Sequence, residues 1–257
     1  MNANVMRILA VVSILAPYGC GGGGVEFNTT FPPINPVPVQ NTNVVASEPF
    51  NFNLASTTRS RLVLTGINGS IVVNGAPAGS NVTVTGEREV GSDSLADAQA
   101  QLPLLQVNVQ EVGADILVST TQPQNSGGRR YTVNYRIQLP ASFAVNIANV
   151  NGSVEVNAMA GNLDSSLING RTEATVALPA SGSVKLTGEN GDIVLHLPQS
   201  TSAVLTAEVG IGTITLTGLV LQNQVTTSTL LQGTLGTGTG TVSLKTNIGS
   251  VSIDAVP

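Results

Sequence analysis

The sequence of 257 residues has one cysteine, one histidine and no tryptophan, and each scarcity excludes a class of protein. A single cysteine, Cys20, cannot form a disulfide within the chain. One histidine and one cysteine are too few for a zinc site, which gathers several such ligands. A Ser-His-Asp arrangement would depend wholly on His196, and the alternation of Ile193, Leu195 and Leu197 predicts that His196 faces solvent instead. We therefore expect no cofactor, no metal and no catalytic residue.

Charged and aromatic residues are also scarce. Charged residues make up 10% of the chain, against roughly 25% in an average protein. The net charge is −5, so the basic face that binds phosphate backbones is missing and nucleic acid is not an expected partner. Aromatic residues reach 3%, whereas enzymes that cleave sugars usually offer aromatic faces for stacking.

What the sequence does contain is a repeated Asn-Gly pair followed by a short strand pattern. The pairs Asn151-Gly152, Asn169-Gly170 and Asn190-Gly191 are 18 and 21 residues apart, a period typical of repeat architectures. Asn-Gly turns the chain at low cost because both residues tolerate left-handed backbone. We predict an all-β fold, a β-solenoid or β-helix-like stack of short strands with one short helix insertion. Asn68-Gly69 and Gly249 are expected to form further turns.

If these turns stack on successive coils, their asparagine amides can hydrogen-bond along the axis as an Asn ladder. The expected members are Asn68, Asn151, Asn169 and Asn190. The Asn169-Gly170 repeat is followed by Arg171-Thr172-Glu173 instead of an apolar run, so we expect an irregular rung there.

The N-terminal 19 residues resemble a secretory signal peptide, with Arg7 before the apolar run ILAVVSILA. Cys20 follows Gly19 and precedes four glycines, which resembles a bacterial lipoprotein signal whose cysteine becomes lipidated. The alternative is an ordinary signal that leaves an unpaired thiol. No aspartate follows Cys20, which favours the outer membrane or cell surface in a cell with two membranes. The expected partner is the membrane, through a lipid anchor.

Residues 20–49 are rich in Gly, Pro and Asn and are interpreted as a tether, with a PxxP recognition motif as the alternative. The folded domain is predicted to span 50–257. Within it, residues 92–102 favour one short helix. Three segments alternate like a meander: 104–109, 115–120 and 131–139. The hairpin tip 122–130 carries Arg129 and Arg130, which are interpreted as solvated rather than as an anion site.

The order of these elements resembles the bacterial DUF4097 family, whose members are labelled as proposed adhesins and built as β-solenoids. The resemblance rests on the GINGSI turn, the helix insertion, VNGSVEV and its repeats, and LGTGTGTVSLKTNIGSVSID, and it covers roughly residues 50–256. It implies a fold and a role on the cell envelope. It brings no catalytic residues.

Three further chemistries are weighed and set aside. Asp164, Glu189 and Asp192 lack the spacing of a calcium-binding β-roll. Glu155, Glu173, Glu189 and Asp192 are candidates for paired carboxylates of a glycosidase, and we interpret them as surface groups. The glycines at 236, 238 and 240 precede a strand rather than a helix, so a phosphate loop is not indicated.

These observations leave three hypotheses for function. The first is an exported, lipid-anchored envelope protein that acts as a structural or adhesive interaction surface for a protein or surface polymer. The second is a periplasmic or membrane-associated binding or sensor module. The third is a polysaccharide-cleaving β-helix enzyme. Self-association through the ends of the solenoid is also expected, one end lying near Ser250 to Asp254.

Overall fold

The computed structural model describes residues 44–256, and over this range the protein is all-β, as predicted. The predicted signal peptide, Cys20 and most of the tether lie outside the described residues. The strands are β1 Val44–Leu54, β2 Arg61–Thr65, β3 Ile71–Ala76, β4 Val82–Ser92, β5 Gln106–Val112, β6 Asp115–Thr121, β7 Arg130–Pro140, β8 Ala144–Met159, β9 Leu163–Val176, β10 Ser183–Asn190, β11 Ile193–Pro198, β12 Ala203–Ile211, β13 Ile214–Thr217, β14 Gln222–Thr226, β15 Leu230–Leu235, β16 Gly240–Ile248 and β17 Val251–Val256.

One α-helix, α1 (Leu95–Gln101), interrupts the strands where the sequence predicted it. Ser94 caps its start, because the Ser94 hydroxyl accepts a hydrogen bond of 3.2 Å from the backbone N–H of Asp97. A short 3-10 helix, Leu102–Leu104, follows. The helix packs against β1 and β4, the last two strands at one end of the sheet.

The strands form two layers. In the first layer the order is β5-β6-β2-β8-β9-β10-β16-β12-β15-β14, and from β6 to β12 every neighbouring pair is parallel. In the second layer the order is β1-β4-β7-β3-β8-β9-β11-β17-β13, with parallel pairs from β7 onwards. The long strands β8 and β9 run through both layers.

The chain passes from the first layer to the second at a bend, which we call the corner. Six segments bend there, and each stacks on the next through paired residues. Inward-facing side chains from both layers form one apolar core, built mainly from Val, Leu, Ile and Ala. In β11, for example, Ile193, Leu195 and Leu197 are buried, as the alternation predicted.

The order of strands in space differs from their order in sequence. Strands β16 and β17 lie between β10-β11 and β12-β13. The prediction that Ser250 to Asp254 forms an end of the stack is therefore wrong, because β17 has neighbours on both sides. The end is formed by β13 in the second layer and by β14 in the first.

The predicted meander is also only partly present. Strands β5 and β6 form an antiparallel hairpin, but β6 pairs next with β2 and β7 pairs with β3 and β4. Residues 122–129 thus cross from one layer to the other and are not a hairpin tip. The cause is parallel pairing with earlier strands: β6 pairs with β2 in the first layer, whereas β7 pairs with β3 in the second.

One predicted irregularity and one predicted boundary also differ from the structure. The rung after Asn169-Gly170 is regular, because the small residues Thr172 and Ala174 face the core while Arg171 and Glu173 face outward. Strand β1 begins at Val44, six residues before the predicted domain start. Pro49 lies within β1, and an edge strand tolerates proline because one of its sides needs no backbone donor.

Candidate functional site

The corner carries the Asn ladder that the repeats predicted. Asn151 Nδ2 donates to Asn68 Oδ1 at 2.7 Å, and Asn169 Nδ2 donates to Asn151 Oδ1 at 2.8 Å. Asn190 Nδ2 continues the series to Asn169 Oδ1 at 3.0 Å. Asn151 and Asn169 thus each donate to one neighbour and accept from the other, and the three hydrogen bonds link four segments of the chain.

The corner glycines form a second column beside the ladder. They adopt φ angles between 120° and 153°, a region that favours glycine: Gly69, Gly152, Gly170, Gly191, Gly249 and Gly212. A Cβ added to Gly170 would collide with the backbone oxygen of Gly152, and one added to Gly191 would collide with that of Gly170. Glycine is needed here for backbone conformation and also for the close approach of neighbouring segments.

Asn149 and Thr246 also support the corner, although the sequence analysis did not single them out. Asn149 is 4% exposed, and its Nδ2 donates to the carbonyl oxygens of Gly69 at 3.1 Å and Asn151 at 3.2 Å. Thr246 Oγ1 donates to the carbonyl oxygen of Gly191 at 2.8 Å. In both strands the alternation of apolar residues assigns this position to the core, so a polar residue there, shortly before the corner, could have identified Asn149 and Thr246 from the sequence.

Beyond Asn190 the ladder gives way to isoleucine. Asn190 pairs with Ile248 on β16, and Ile248 pairs with Ile211 on β12. Both isoleucines are exposed, Ile211 by 70%. The corner is therefore polar over four segments and apolar over the last two.

His196 lies among carboxylates on the outer face of the second layer. His196 Nε2 is 3.4 Å from Glu173 Oε1, and His196 Nδ1 is 3.9 Å from Asp254 Oδ2. Arg171 pairs with Glu173 at 2.8 Å, and Glu155 is the neighbour of Glu173 on β8. Parallel stacking of β8, β9, β11 and β17 collects these side chains on an open sheet face. The predicted outward position of His196 agrees with this arrangement, but its carboxylate neighbours were not foreseen.

Of the three carboxylates considered for calcium, Asp164 and Asp192 have other partners. Asp164 lies 3.7 Å from Lys185, and Asp192 Oδ1 accepts a hydrogen bond of 2.8 Å from the backbone N–H of Ser250. Within residues 44–256, His, Cys, Asp and Glu form no group of three or more that is placed to hold a metal.

Arg129 is tied to the helix. Its guanidinium makes two hydrogen bonds to the Asp97 carboxylate, of 2.6 and 2.7 Å, and Ser92 donates to the same carboxylate. These hydrogen bonds, from Arg129 first and then Ser92, lower the pKa of Asp97 to about 2. Arg129 therefore anchors the crossing segment to α1, while Arg130 is exposed beside it. The structure places a structural ion pair where the sequence suggested two solvated arginines.

A groove of about 460 Å³ opens between β1 and β5, the edge strands of the two layers at the helix end. Phe50 and Phe52 line it with half-buried rings whose centroids are 6.2 Å apart. Gln106 and Asn108 supply polar groups on the other wall. Phe50 also packs edge-on against buried Tyr135, at 5.6 Å between centroids. Burial raises the pKa of Tyr135 to about 12.

A second groove, of about 570 Å³, opens at the other end between β13 and the β14-β15 hairpin. Ile214, Leu216, Leu230 and Leu231 line its apolar part. Threonines, a serine and a glutamine form the rest, so the lining carries no charge. Of the helices that the structure describes, none is long and apolar enough to cross a membrane.

Comparisons with known proteins give a likeness of fold. No family model matches the sequence, and no curated protein matches it. A crystal structure of a proposed cell adhesion protein from Clostridium sporogenes has a TM-score of 0.57 at 12% identity, covering 82% of this chain and 100% of that one. A proposed adhesin from Bacteroides fragilis, at 14% identity and covering 83% and 98% of the two chains, has a TM-score of 0.24. The first likeness shows a shared fold, and the second carries no argument.

Proposed function

We propose that this protein is an exported envelope protein whose all-β domain is a β-solenoid of the DUF4097 type and acts as a structural or adhesive interaction surface. In this proposal residues 1–19 are a signal peptide and Cys20 carries the lipid anchor. The residues from Cys20 to β1 are the tether. The domain would stand at the cell surface or outer membrane.

The observation that carries this proposal is the uninterrupted parallel stacking through the corner. Six segments repeat the same bend, held by backbone pairing, by the Asn ladder and by glycines that permit close approach. Such an architecture grows by adding coils and presents long, regular faces. Few charges interrupt those faces, since only 10% of the chain is charged. An extended surface of this kind suits contact with a broad partner such as a protein or a surface polymer.

We propose no enzymatic role. In the Glu173-His196-Asp254 group a histidine lies within 4 Å of two carboxylates, as a catalytic group would require, but the group lies on an open sheet face. Neither groove at the ends of the stack includes these three residues in its lining. Catalytic groups gain most of their effect in sites that exclude water, and a flat sheet face leaves this cluster in contact with solvent.

A periplasmic or membrane-associated binding module is the second candidate. It is favoured by the groove between β1 and β5, because the half-buried rings of Phe50 and Phe52 face polar Gln106 and Asn108 across it. A titration of the purified chain with envelope polymer fragments, followed by the Phe52→Ala variant, tests this candidate. Saturable binding that the variant loses while it keeps its circular dichroism spectrum would favour it.

The adhesive proposal is tested by attachment of cells under flow. Cells that express the wild-type chain should attach to a coated surface in greater number than cells that lack it. Cells expressing Cys20→Ala at the same protein level should lose this attachment, because the domain is no longer held on the cell. Equal attachment of all three strains would contradict an adhesive role.

A further inference from the structure

The end of the stack opposite the helix is free of charge. From residue 209 to residue 244 the sequence contains no Asp, Glu, Lys, Arg or His. This stretch supplies all of β13, β14 and β15, the strands that form that end. We call this end, from Val209 to Leu244, the neutral end. At the helix end, by contrast, Glu48 pairs with Arg88 at 2.7 Å and Asp97 pairs with Arg129.

The neutral end also leaves strand edges unpaired. Within the described part of the chain, β13 pairs only with β17 and β14 pairs only with β15. Val251 N donates to Thr213 O, so the backbone groups of Ile214 and Leu216, which alternate with Thr213, point to the free edge of β13. Proteins usually protect such edges with charge, proline, a bulge or a covering helix. Strand β14 has a bulge between Gln222 and Val225, but β13 has none, and residues 199–256 contain no proline. At the other end of the stack α1 packs on β1 and β4.

Exposed apolar side chains flank both ends of β13, and a third lies on the edge strand β14. Val220 is 83% exposed, Ile211 is 70% exposed and Val225 is 51% exposed. Ile211 lies three residues before β13, and Val220 lies three residues after it. Apolar side chains exposed together beside an unpaired edge are typical of a surface that another chain covers.

We propose that the neutral end binds the neutral end of a second copy of this chain, through antiparallel pairing of the two β13 edges. A twofold contact brings each surface against itself, so every charge near the axis would meet a like charge. A surface without charge avoids this repulsion, whereas it offers nothing to steer a charged foreign partner. The occupant that the neutral end fits is therefore a second copy.

The pattern of β13 fits the same arrangement. Thr215 and Thr217 are exposed on the outer face, while Ile214 and Leu216 are half-buried towards the core. Antiparallel pairing of two such strands keeps threonine with threonine outside and continues the apolar layer inside. The two copies are joined head to head, and Val44, in β1 at the far end of each stack, lies away from the contact.

Sedimentation velocity on the full chain, with Cys20→Ser to remove any lipid, tests the association. The protein should dimerise reversibly as its concentration rises. Ile211→Lys combined with Val220→Lys should weaken dimerisation at least tenfold, because these residues flank β13 and like charges then meet in the contact. Val45→Lys combined with Val112→Lys is the matched control, since these residues are 39% and 54% exposed at the other end. A monomer at all concentrations, or equal weakening by both pairs, would overturn the proposal.

A cross-linking experiment locates the contact. In the Cys20→Ser chain, Thr215→Cys on β13 should give a covalent dimer with a short bis-maleimide. Ser252→Cys is its control, because Ser252 is the partner of Thr215 on β17, one strand further from the edge. The two copies of Ser252 should lie about 10 Å further apart than the two copies of Thr215, at ~4.8 Å per strand. Cross-linking of Ser252→Cys alone would place the contact elsewhere. Both experiments use protein in solution, so they stand or fall independently of export and adhesion.

Discussion

Asn169 Nδ2 donates a hydrogen bond of 2.8 Å to Asn151 Oδ1, and the two residues occupy the same position of neighbouring segments. Asn151 in turn donates to Asn68, and Asn190 donates to Asn169. This series is the polar edge of a stack whose interior is apolar. The corner thus explains why Asn-Gly, and not another turn pair, recurs in the sequence: asparagine links the segments and glycine lets them approach.

Asn151→Val should destabilise the domain by about 1–2 kcal/mol, because it removes two hydrogen bonds from the middle of the ladder. For a domain of this size that corresponds to a fall in melting temperature of roughly 2–8 °C. Ser153→Val is the control: Ser153 is exposed on the same strand, and its side chain makes no hydrogen bond to any residue from 44 to 256. An unchanged melting temperature for Asn151→Val would count against the ladder as a source of stability.

Gly170→Ala should destabilise the domain by at least about 3 kcal/mol, since the new Cβ meets the backbone oxygen of Gly152 and the backbone must also strain. Gly79→Ala separates the two effects. Gly79 also has a positive φ, of 83°, but a Cβ there would meet nothing within 4 Å. This control should cost only about 1–2 kcal/mol. Urea unfolding of both variants measures the difference, and equal losses would mean that close approach at the corner is unimportant.

Asn149→Leu should destabilise the domain by about 2–4 kcal/mol although it makes the core more apolar. The substitution removes the buried side-chain donor from the carbonyl oxygens of Gly69 and Asn151, of which the Asn151 oxygen keeps the backbone N–H of Gly69 at 3.0 Å. Leu167 occupies the equivalent position in the next segment, so leucine fits the backbone there. Thr246→Val, which removes a single hydrogen bond to Gly191, should cost about half as much. A gain in stability for Asn149→Leu would show that the corner carbonyls do not need this donor.

The ion pair between Asp97 and Arg129 should make stability depend on pH in acid. Its hydrogen bonds lower the pKa of Asp97 from 3.8 to about 2, so the folded state releases this proton more readily than the unfolded state does. The contribution is therefore fully present above about pH 4 and is lost as the pH falls towards 2. Asp97→Asn should be less stable than wild type at pH 6, and the two should converge near pH 2. A difference that is the same at both pH values would contradict this assignment.

The sequence predicted local structure well where one signal decided it. The bends at Asn151-Gly152 and Asn190-Gly191 follow from the positive φ that glycine tolerates, although neither asparagine adopts it and Asn151-Gly152 lies within β8 rather than in a turn between strands. The position of α1 follows from helix-forming residues after Ser94. The alternation of Ile193, Leu195 and Leu197 gave their burial directly.

The pairing of distant segments could not be predicted in the same way. Nothing local to β16 indicates that it inserts between β10 and β12, because all three strands alternate in the same manner. The misjudged rung at Arg171 has a similar cause: Thr172 fills an inward position that the pattern reserved for an apolar residue. The contacts of His196 with Glu173 and Asp254 depend on this stacking order, and so they appear only in the folded chain.

Protease treatment of intact cells tests the central claim, an interaction surface held on the outside of the cell, most directly. The account predicts that protease removes the wild-type domain from intact cells, and that Cys20→Ala appears in the soluble fraction instead. Protection of the wild-type domain until the envelope is opened would contradict the surface location. It would leave the periplasmic binding module as the function that the structure supports.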